Sequence, residues 1–150
     1  MHEGTIELLV RGVLIGPHGV LLCRVIGKDY TFLPGGHIEF GESTSGALVR
    51  EMREELGTKV EVESFLGALE HKFNQDGVKR HELNLVFLMS APALERRAKV
   101  QAAESHIEFM WQSINMLTEA NLQPKALRLL IPRWTRGKQE PWSSDLRDWL

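Results

Sequence analysis

Three glutamates in the segment REMREELG, residues 50–57, are spaced so that a helix would bring their carboxylates together. Glu51, Glu54 and Glu55 stand at positions i, i+3 and i+4, which are neighbours on a helix surface. Like charges at these spacings destabilise a helix by about a few tenths of a kcal/mol per pair. Oxygen-rich clusters suit a hard divalent cation such as Mg²⁺, which binds carboxylates together with substrate phosphates. The segment therefore indicates a metal site, and a solvated acidic face is the alternative reading.

The element that must position these glutamates is predicted to be an amphipathic helix. Ser43 is a suitable N-cap, and Gly57 is a suitable residue to end the helix. At about 100° per residue, Ala47 falls on the same arc as the glutamates. The opposite, apolar arc is formed by Leu48, Val49, Met52 and Leu56. Residues 33–43, LPGGHIEFGES, precede the helix and predict a glycine-rich loop whose backbone can approach a ligand closely.

The segment GHIEFGESTSGALVREMREELGT, residues 36–58, resembles the Nudix box, the signature of the Nudix hydrolase family. That signature is Gly, five residues, Glu, seven residues, Arg-Glu, an aliphatic residue, any residue, Glu-Glu, any residue, Gly and an aliphatic residue. The chain supplies it with Gly36, Glu42, Arg50, Glu51, Met52, Glu54, Glu55 and Gly57. The last position departs from the pattern, because it is Thr58, whose methyl group can still pack. The segments VLLCRV and HELNLVFL are also similar to the family.

The resemblance implies an α/β fold, namely a Nudix-type α/β/α sandwich with a mixed β-sheet. It also implies hydrolysis of a nucleoside diphosphate linked to another group, by water attack on phosphorus. A nucleotide sugar, ADP-ribose or a nucleoside triphosphate is the leading substrate. The implied cofactor is Mg²⁺, with Mn²⁺ as an alternative, because such an ion neutralises the pyrophosphate charge that repels water. Its implied ligands are the carboxylates of Glu51, Glu54 and Glu55 and the carbonyl of Gly35.

The same resemblance assigns roles to the residues around these ligands. Arg50 would orient a glutamate through a charge-assisted hydrogen bond. Glu42 would tie the loop to the helix, and Gly36 would give the loop its close approach. These assignments predict that loop and helix form one rigid unit.

The general base is left open between residues inside and outside the box. Glu54 and Glu55 are the candidates inside it. Outside it, Glu104 is the first candidate, because it precedes a predicted strand at 106–111 where some family members carry such a residue, and Glu108 is the second.

Several further residues are candidates for contacts with the substrate. Arg24 ends a predicted strand and could bind a phosphate, and His37 follows the double glycine. Strand alternation sends His81 and Glu82 to opposite faces, so one of them is a candidate for the substrate pocket. The aromatic candidates for base stacking, each equally suited to core packing, are Tyr30, Phe40 and Phe73.

The remaining pattern predicts one domain over residues 1–133 and a tryptophan-rich tail over 134–150. Strands are predicted at 5–15, 20–26, 60–69 and 83–89, with a polar turn over residues 73–81. A helix is predicted to have Pro124 in its first turn and to stop at Pro132. Trp134, Trp142 and Trp149 are expected to dock on the same domain, and a contact in a homodimer is the alternative.

Composition limits the function classes that the chain can serve. Eighteen Lys and Arg oppose 20 Asp and Glu, a formal charge of −2, which counts against a nucleic-acid partner and leaves room for a local basic pocket. The small-molecule nucleotide partner is what the resemblance implies. No apolar run approaches membrane-spanning length, and no signal peptide is recognisable, so a cytoplasmic enzyme is expected. The one cysteine, Cys23, is predicted to be a buried structural thiol. The alternative functions are a non-catalytic nucleotide-sensing Nudix domain and an RNA 5′-end pyrophosphohydrolase.

Overall fold

Short connections link nine strands and three helices within residues 4–146, the part of the chain that the computed structural model describes. The strands are β1 (Ile6–Gly16), β2 (Gly19–Val25), β3 (Thr31–Phe32), β4 (Gly35–His37), β5 (Glu61–Gln75), β6 (Val78–Ser90), β7 (Ile107–Gln112), β8 (Leu122–Gln123) and β9 (Trp142–Ser144). The helices are α1 (Thr44–Leu56), α2 (Pro92–Glu95) and α3 (Leu127–Thr135), with a 3₁₀ turn at Ile114–Met116.

The strands form a mixed sheet with β1 near its centre. The order is β8-β3-β2-β1-β6-β5-β9, while β4 also pairs with β1 and β7 with β2. The β1–β6, β3–β8 and β5–β9 pairs are parallel, and the other pairs are antiparallel. Because β1 contacts β4 as well as β6, it joins the glycine-rich loop to the long β5–β6 ribbon.

Alternation along the central strands divides the apolar side chains between two cores. Val10 of β1 belongs to the core that includes Met52 of α1, whereas Val13 belongs to the core that includes Ile131 of α3. Successive side chains of a strand point to opposite faces, so α1 and α3 cover opposite sides of the sheet. The observed architecture confirms the predicted α/β/α sandwich with a mixed sheet.

Helix α1 begins and ends where its caps predict. Ser43 is the N-cap, and its hydroxyl accepts a hydrogen bond of 3.0 Å from the amide of Gly46. Gly57 ends the helix in the left-handed conformation, at φ +66°. The predicted place of Ala47 on the polar arc was wrong. Ala47 is fully buried, and strand β4 packs against α1.

The β5–β6 ribbon is longer than predicted. The polar segment at 73–81 belongs largely to the strands, and the turn itself is confined to Asp76 and Gly77. The full length of the ribbon was not predicted, because the polar residues of its distal part lack the apolar-polar alternation of a half-buried strand.

The predicted stop at Pro132 was also wrong. Helix α3 begins at Leu127, after Pro124, and continues through Pro132 to Thr135. Trp134 lies inside this helix with 7% of its surface exposed, and its indole N–H donates to the carbonyl of Glu140 at 3.1 Å. This anchoring explains why the helix runs past a residue that costs it a hydrogen bond. Trp142 begins β9, is exposed and pairs with β5, and Trp149 lies outside the described residues.

Candidate active site

Arg50 holds the glycine-rich loop against α1. Its guanidinium donates to both carboxylate oxygens of Glu42, at 2.7 and 2.9 Å, and to the carbonyl of His37 at 3.0 Å. Glu42 also accepts from the amide of Glu39 at 3.0 Å. These hydrogen bonds lower the pKa of Glu42 to about 2 and raise the pKa of Arg50, so both stay charged. The loop and the helix are therefore fixed relative to one another.

The double glycine brings the loop backbone close to its neighbours. Gly35 has φ +144°, and a Cβ added there would lie 2.0 Å from the carbonyl oxygen of Val10. A Cβ added to Gly36 would lie 2.4–2.6 Å from the carboxylate of Glu51. Glu51 is held in this place by Arg50, whose Nη1 donates to it at 3.1 Å. Both positions therefore require glycine, the first for the backbone and the second for the carboxylate.

Glu55 has one carboxylate oxygen buried within the fold. Burial raises its pKa from the usual 4.5 to about 8, and the nearby charge of Glu51 adds to the rise. Arg11, on β1, acts in the opposite direction through its positive charge. The Oε2 atom of Glu55 is buried and has no hydrogen-bond partner among residues 4–146. An acceptor in this condition can be satisfied by a cation or by a donor from a ligand.

The other two candidate bases occupy different surroundings. Glu54 is 52% exposed and lies 3.4 Å from Nη1 of Arg50. Glu104 lies 3.4 Å from Nε2 of His106, and its charge is one of those that raise the pKa of Glu55. Its loop is attached to the helix, because the amide of Ala103 donates to the carbonyl of Glu55 at 2.7 Å. The fold thus brings Glu104, distant in sequence, to the acidic side of α1.

The acidic side of α1 has the donor chemistry that a divalent cation requires. Glu51 is close enough for its charge to raise the pKa of Glu55, and Glu55 offers a buried oxygen without a partner in the described residues. In the described part of the chain, no three Asp, Glu, His or Cys side chains are already gathered in a metal-binding arrangement. Arg50 holds Glu51 at 3.1 Å, and Glu54 extends toward solvent. The residues therefore fit a hard cation by type and burial.

A cavity of about 770 Å³ is bordered by residues of β1, β5 and β6, and none of Glu51, Glu54 and Glu55 lines it. Its lining includes Arg11 and His37, together with the aromatic side chains of Tyr30, Phe32 and Phe73. The guanidinium of Arg11 lies 5.5 Å from the ring centroid of Phe32, and its Nη1 donates to the carbonyl of Leu33 at 3.2 Å. The charge of Arg11 also lowers the pKa of Glu55, so the same side chain acts on the cavity and on the carboxylates. The volume lies within the range of small-molecule sites.

Some residues proposed for substrate contacts are found elsewhere. Arg24 forms an ion pair with Glu108 on the neighbouring strand, with Nε and Oε1 2.7 Å apart, and neither residue lines this cavity. Phe40 is fully exposed in the loop. Cys23 is buried, as predicted, and burial, followed by the charge of Glu55, raises its pKa to about 12. Glu82 lines the cavity, and His81 does not.

Sequence reasoning missed Arg11 and Asn84, both of which line the cavity. A signal for Arg11 was present, since a guanidinium within the apolar strand ELLVRGVLI needs an explanation. Asn84 is 2% exposed and interrupts the apolar segment LNLVFL in the same way. Buried polar residues in otherwise apolar strands are therefore the clue that the motif search did not use.

Comparison with known proteins identifies the family of this chain. The family model described as the NUDIX domain matches residues 7–133. ADP-ribose pyrophosphatase of Methanocaldococcus jannaschii is 30% identical over 105 residues, which are 70% of this chain and 59% of that protein. MutT4 of Mycobacterium tuberculosis is 32% identical over 95 residues, which are 59% of this chain and 38% of that protein. The chain thus spans about two fifths to three fifths of the length of these curated relatives.

Comparison of the fold with solved structures finds the same architecture. The crystal structure of a MutT protein from Methanosarcina mazei Go1 superposes with a TM-score of 0.69, at 22% identity, and covers 93% of this chain and all of that one. The chain belongs to the NUDIX family, as the box at residues 36–58 predicted. None of the helices in the described range is long and apolar enough to span a bilayer.

Proposed function

We propose that the chain is a divalent-metal-dependent pyrophosphohydrolase that cleaves a nucleoside diphosphate linked to another group. The observation that carries this proposal is the buried, unpartnered Oε2 of Glu55 beside a second carboxylate, Glu51. Burying such a group without a partner destabilises the fold, which is consistent with a site organised around a charged ligand. The relative that acts on ADP-ribose, to judge by its name, supports the reaction class.

The proposed cation is held by the carboxylates of Glu51, Glu54 and Glu55, with the carbonyl of Gly35 as a further ligand. Mg²⁺ is the first choice, and Mn²⁺ is an alternative with similar ligand preferences. When bound, such an ion would neutralise the phosphates and align them for attack. The contact of Arg50 with Glu51 limits the rotation of that carboxylate, and its contact with His37 keeps the loop in register.

The reaction needs a proton acceptor as well as a cation. The oxygen of water forms a bond to phosphorus, the bridging P–O bond breaks, and its electron pair leaves with the departing phosphate. A carboxylate takes the proton of the attacking water. Glu54, Glu55 and Glu104 are the candidates, and they differ in environment: exposed, buried, and paired with His106, respectively.

The cavity is the proposed site for the nucleoside part of the substrate. Tyr30 and Phe73 offer aromatic surfaces, and Arg11 offers a cation whose charge also lowers the pKa of Glu55. A nucleotide sugar, ADP-ribose or a nucleoside triphosphate each combines a base with a phosphate chain of the required charge. The small cavity favours such a ligand over a long RNA.

A substrate panel with isotopic labelling tests the proposal. Nucleotide sugars, ADP-ribose and nucleoside triphosphates are incubated with Mg²⁺ in H₂¹⁸O, and we expect ¹⁸O in a phosphate product. Glu54→Gln and Glu55→Gln should each lose most of the turnover, whereas Glu61→Gln, an exposed glutamate on β5, should keep it. Glu104→Gln with a pH–rate profile identifies the base. Near-wild-type turnover in both box variants would contradict the metal assignment, and nucleotide binding without turnover would indicate a sensing domain.

A further inference from the structure

The residues of the cavity floor lie in rows, each row being a set of register partners on neighbouring strands. The rows follow one another along β1 and β6, away from the glycine-rich loop. The first row pairs Arg11 with Val86, and Arg11 is also the register partner of Gly35. The second row pairs Asn84 with Leu9 and Leu69, and the third pairs Glu82 with Glu7 and His71. At about 3.3 Å per residue, Glu82 lies about 13 Å along β6 from the first row. A nucleoside whose phosphate is at the loop would reach the second and third rows with its base.

Glu82 presents a carboxylate to the cavity, and Asn84 holds one of its oxygens. Its Oε2 accepts a hydrogen bond of 3.2 Å from Nδ2 of Asn84. Its register partner Glu7 is engaged by His37, with Nε2 and Oε1 3.1 Å apart. Glu82 therefore faces the cavity as an acceptor, oriented by a side chain that is itself 98% buried.

A carboxylate in a cavity wall selects among bases by the donors on their edges. Guanine presents two adjacent donors, N1–H and the 2-amino group, which match the two oxygens of a carboxylate. Adenine presents one amino group beside the acceptor N1, and that acceptor would face carboxylate oxygen. Hypoxanthine keeps N1–H and lacks the 2-amino group. A site built to bind a donor strongly rejects analogues that lack it, because its own polar group is then left unpaired.

We propose that Glu82, oriented by Asn84, makes this chain selective for nucleotides whose base presents two adjacent N–H donors, as guanine does. The inference rests on the proposed function only in taking the cavity as the nucleoside site. Tyr30 and Phe73 line the same cavity and supply aromatic faces for the purine ring. Glu82 is a specificity residue and Asn84 its positioning residue, since Asn84 acts by holding the carboxylate.

Binding of nucleoside monophosphates tests the inference without requiring hydrolysis. Calorimetry with GMP, IMP and AMP, each with Mg²⁺, should give at least about tenfold tighter binding of GMP than of AMP, with IMP between them. Glu82→Gln should reduce the GMP to AMP ratio to within about threefold, because an amide offers one acceptor and one donor. Glu61→Gln removes the same charge from the exposed part of β5 and should keep the wild-type ratio.

The rates distinguish failure of this inference from failure of the proposed function. The kcat/KM for GTP should exceed that for ATP, and Glu82→Gln should act on GTP mainly through KM. Hydrolysis of nucleotides with no preference for guanine would overturn the base assignment and leave the pyrophosphohydrolase in place. Absence of hydrolysis with retained, Glu82-dependent GMP selectivity would reject the reaction and support the base site. An unchanged ratio in a folded Glu82→Gln protein would overturn the inference.

Discussion

Replacing Glu55 with glutamine should stabilise the metal-free protein while it removes activity. Burial and the charge of Glu51 raise the pKa of Glu55 from 4.5 to about 8, so the folded state binds its proton more tightly than the unfolded state. Stability from this group is fully present below pH 4.5 and is lost as pH rises toward 8. Glutamine has the same shape and does not titrate, so its contribution is independent of pH.

The size of the effect follows from the pKa difference. Each pH unit between the two pKa values costs the wild type about 1.4 kcal/mol, so at pH 7 the loss amounts to about 3 kcal/mol. At pH 4 both proteins carry an uncharged side chain, and their free energies of unfolding should agree within about 0.5 kcal/mol. The advantage of Glu55→Gln should therefore appear above pH 4.5 and grow toward pH 8.

Urea unfolding in the presence of a chelator, at several pH values from 4 to 8, measures this difference. Glu54→Gln is the matched control, because it removes the same charge one residue away from a side chain that is half exposed. It should change the free energy of unfolding by less than about 0.5 kcal/mol at every pH. Added Mg²⁺ should stabilise the wild type and not Glu55→Gln, since a ligand stabilises the state that binds it. An equal gap between wild type and Glu55→Gln at pH 4 and pH 8 would refute the reasoning.

Four further substitutions test the supports of the site and of the fold. Gly35→Ala should lower the melting temperature by several degrees, because its Cβ would overlap backbone. Gly36→Ala should keep stability and lower kcat, because its Cβ would displace the carboxylate of Glu51. Calorimetric melting and initial rates compare the two variants. Arg50→Lys should lower kcat at least about tenfold in steady-state kinetics, since an ammonium cannot reproduce the two bonds to Glu42. Trp134→Ala should cost about 3–5 kcal/mol of unfolding free energy in urea titrations and leave KM for the substrate unchanged.

Local signals in the sequence were sufficient for α1 and its loop. Ser43 and Gly57 fix the ends of the helix through contacts within a few residues, and the clamp of Arg50 on Glu42 spans only eight. Spacing within one helix also determines which carboxylates share a side. These features depend on geometry that the backbone repeats everywhere, so a pattern can predict them.

The cavity could not be predicted in the same way. Arg11, Glu82 and Asn84 meet because β1 and β6 pair in parallel in one register, and nothing local in either strand specifies that register. The full length of β5 and β6 could not be predicted for a related reason. Most of their distal residues are polar, on both faces of the ribbon. Helix α3 passes Pro132 because the burial of Trp134, a tertiary contact, outweighs a local signal.

Arg11 gives the site a reason to bind cation and nucleotide together. Its positive charge lowers the pKa of Glu55 and so favours the ionised carboxylate. Arg11 also lines the cavity proposed for the nucleoside. A phosphate drawn to Arg11 would withdraw part of that charge from Glu55 and bring further negative charge toward Glu51. Phosphate alone would therefore make the acidic side less stable, and a divalent cation alone would compete with Arg11 for the same carboxylate. Bound together, the two ligands neutralise one another, so each should raise the affinity of the site for the other by the same factor.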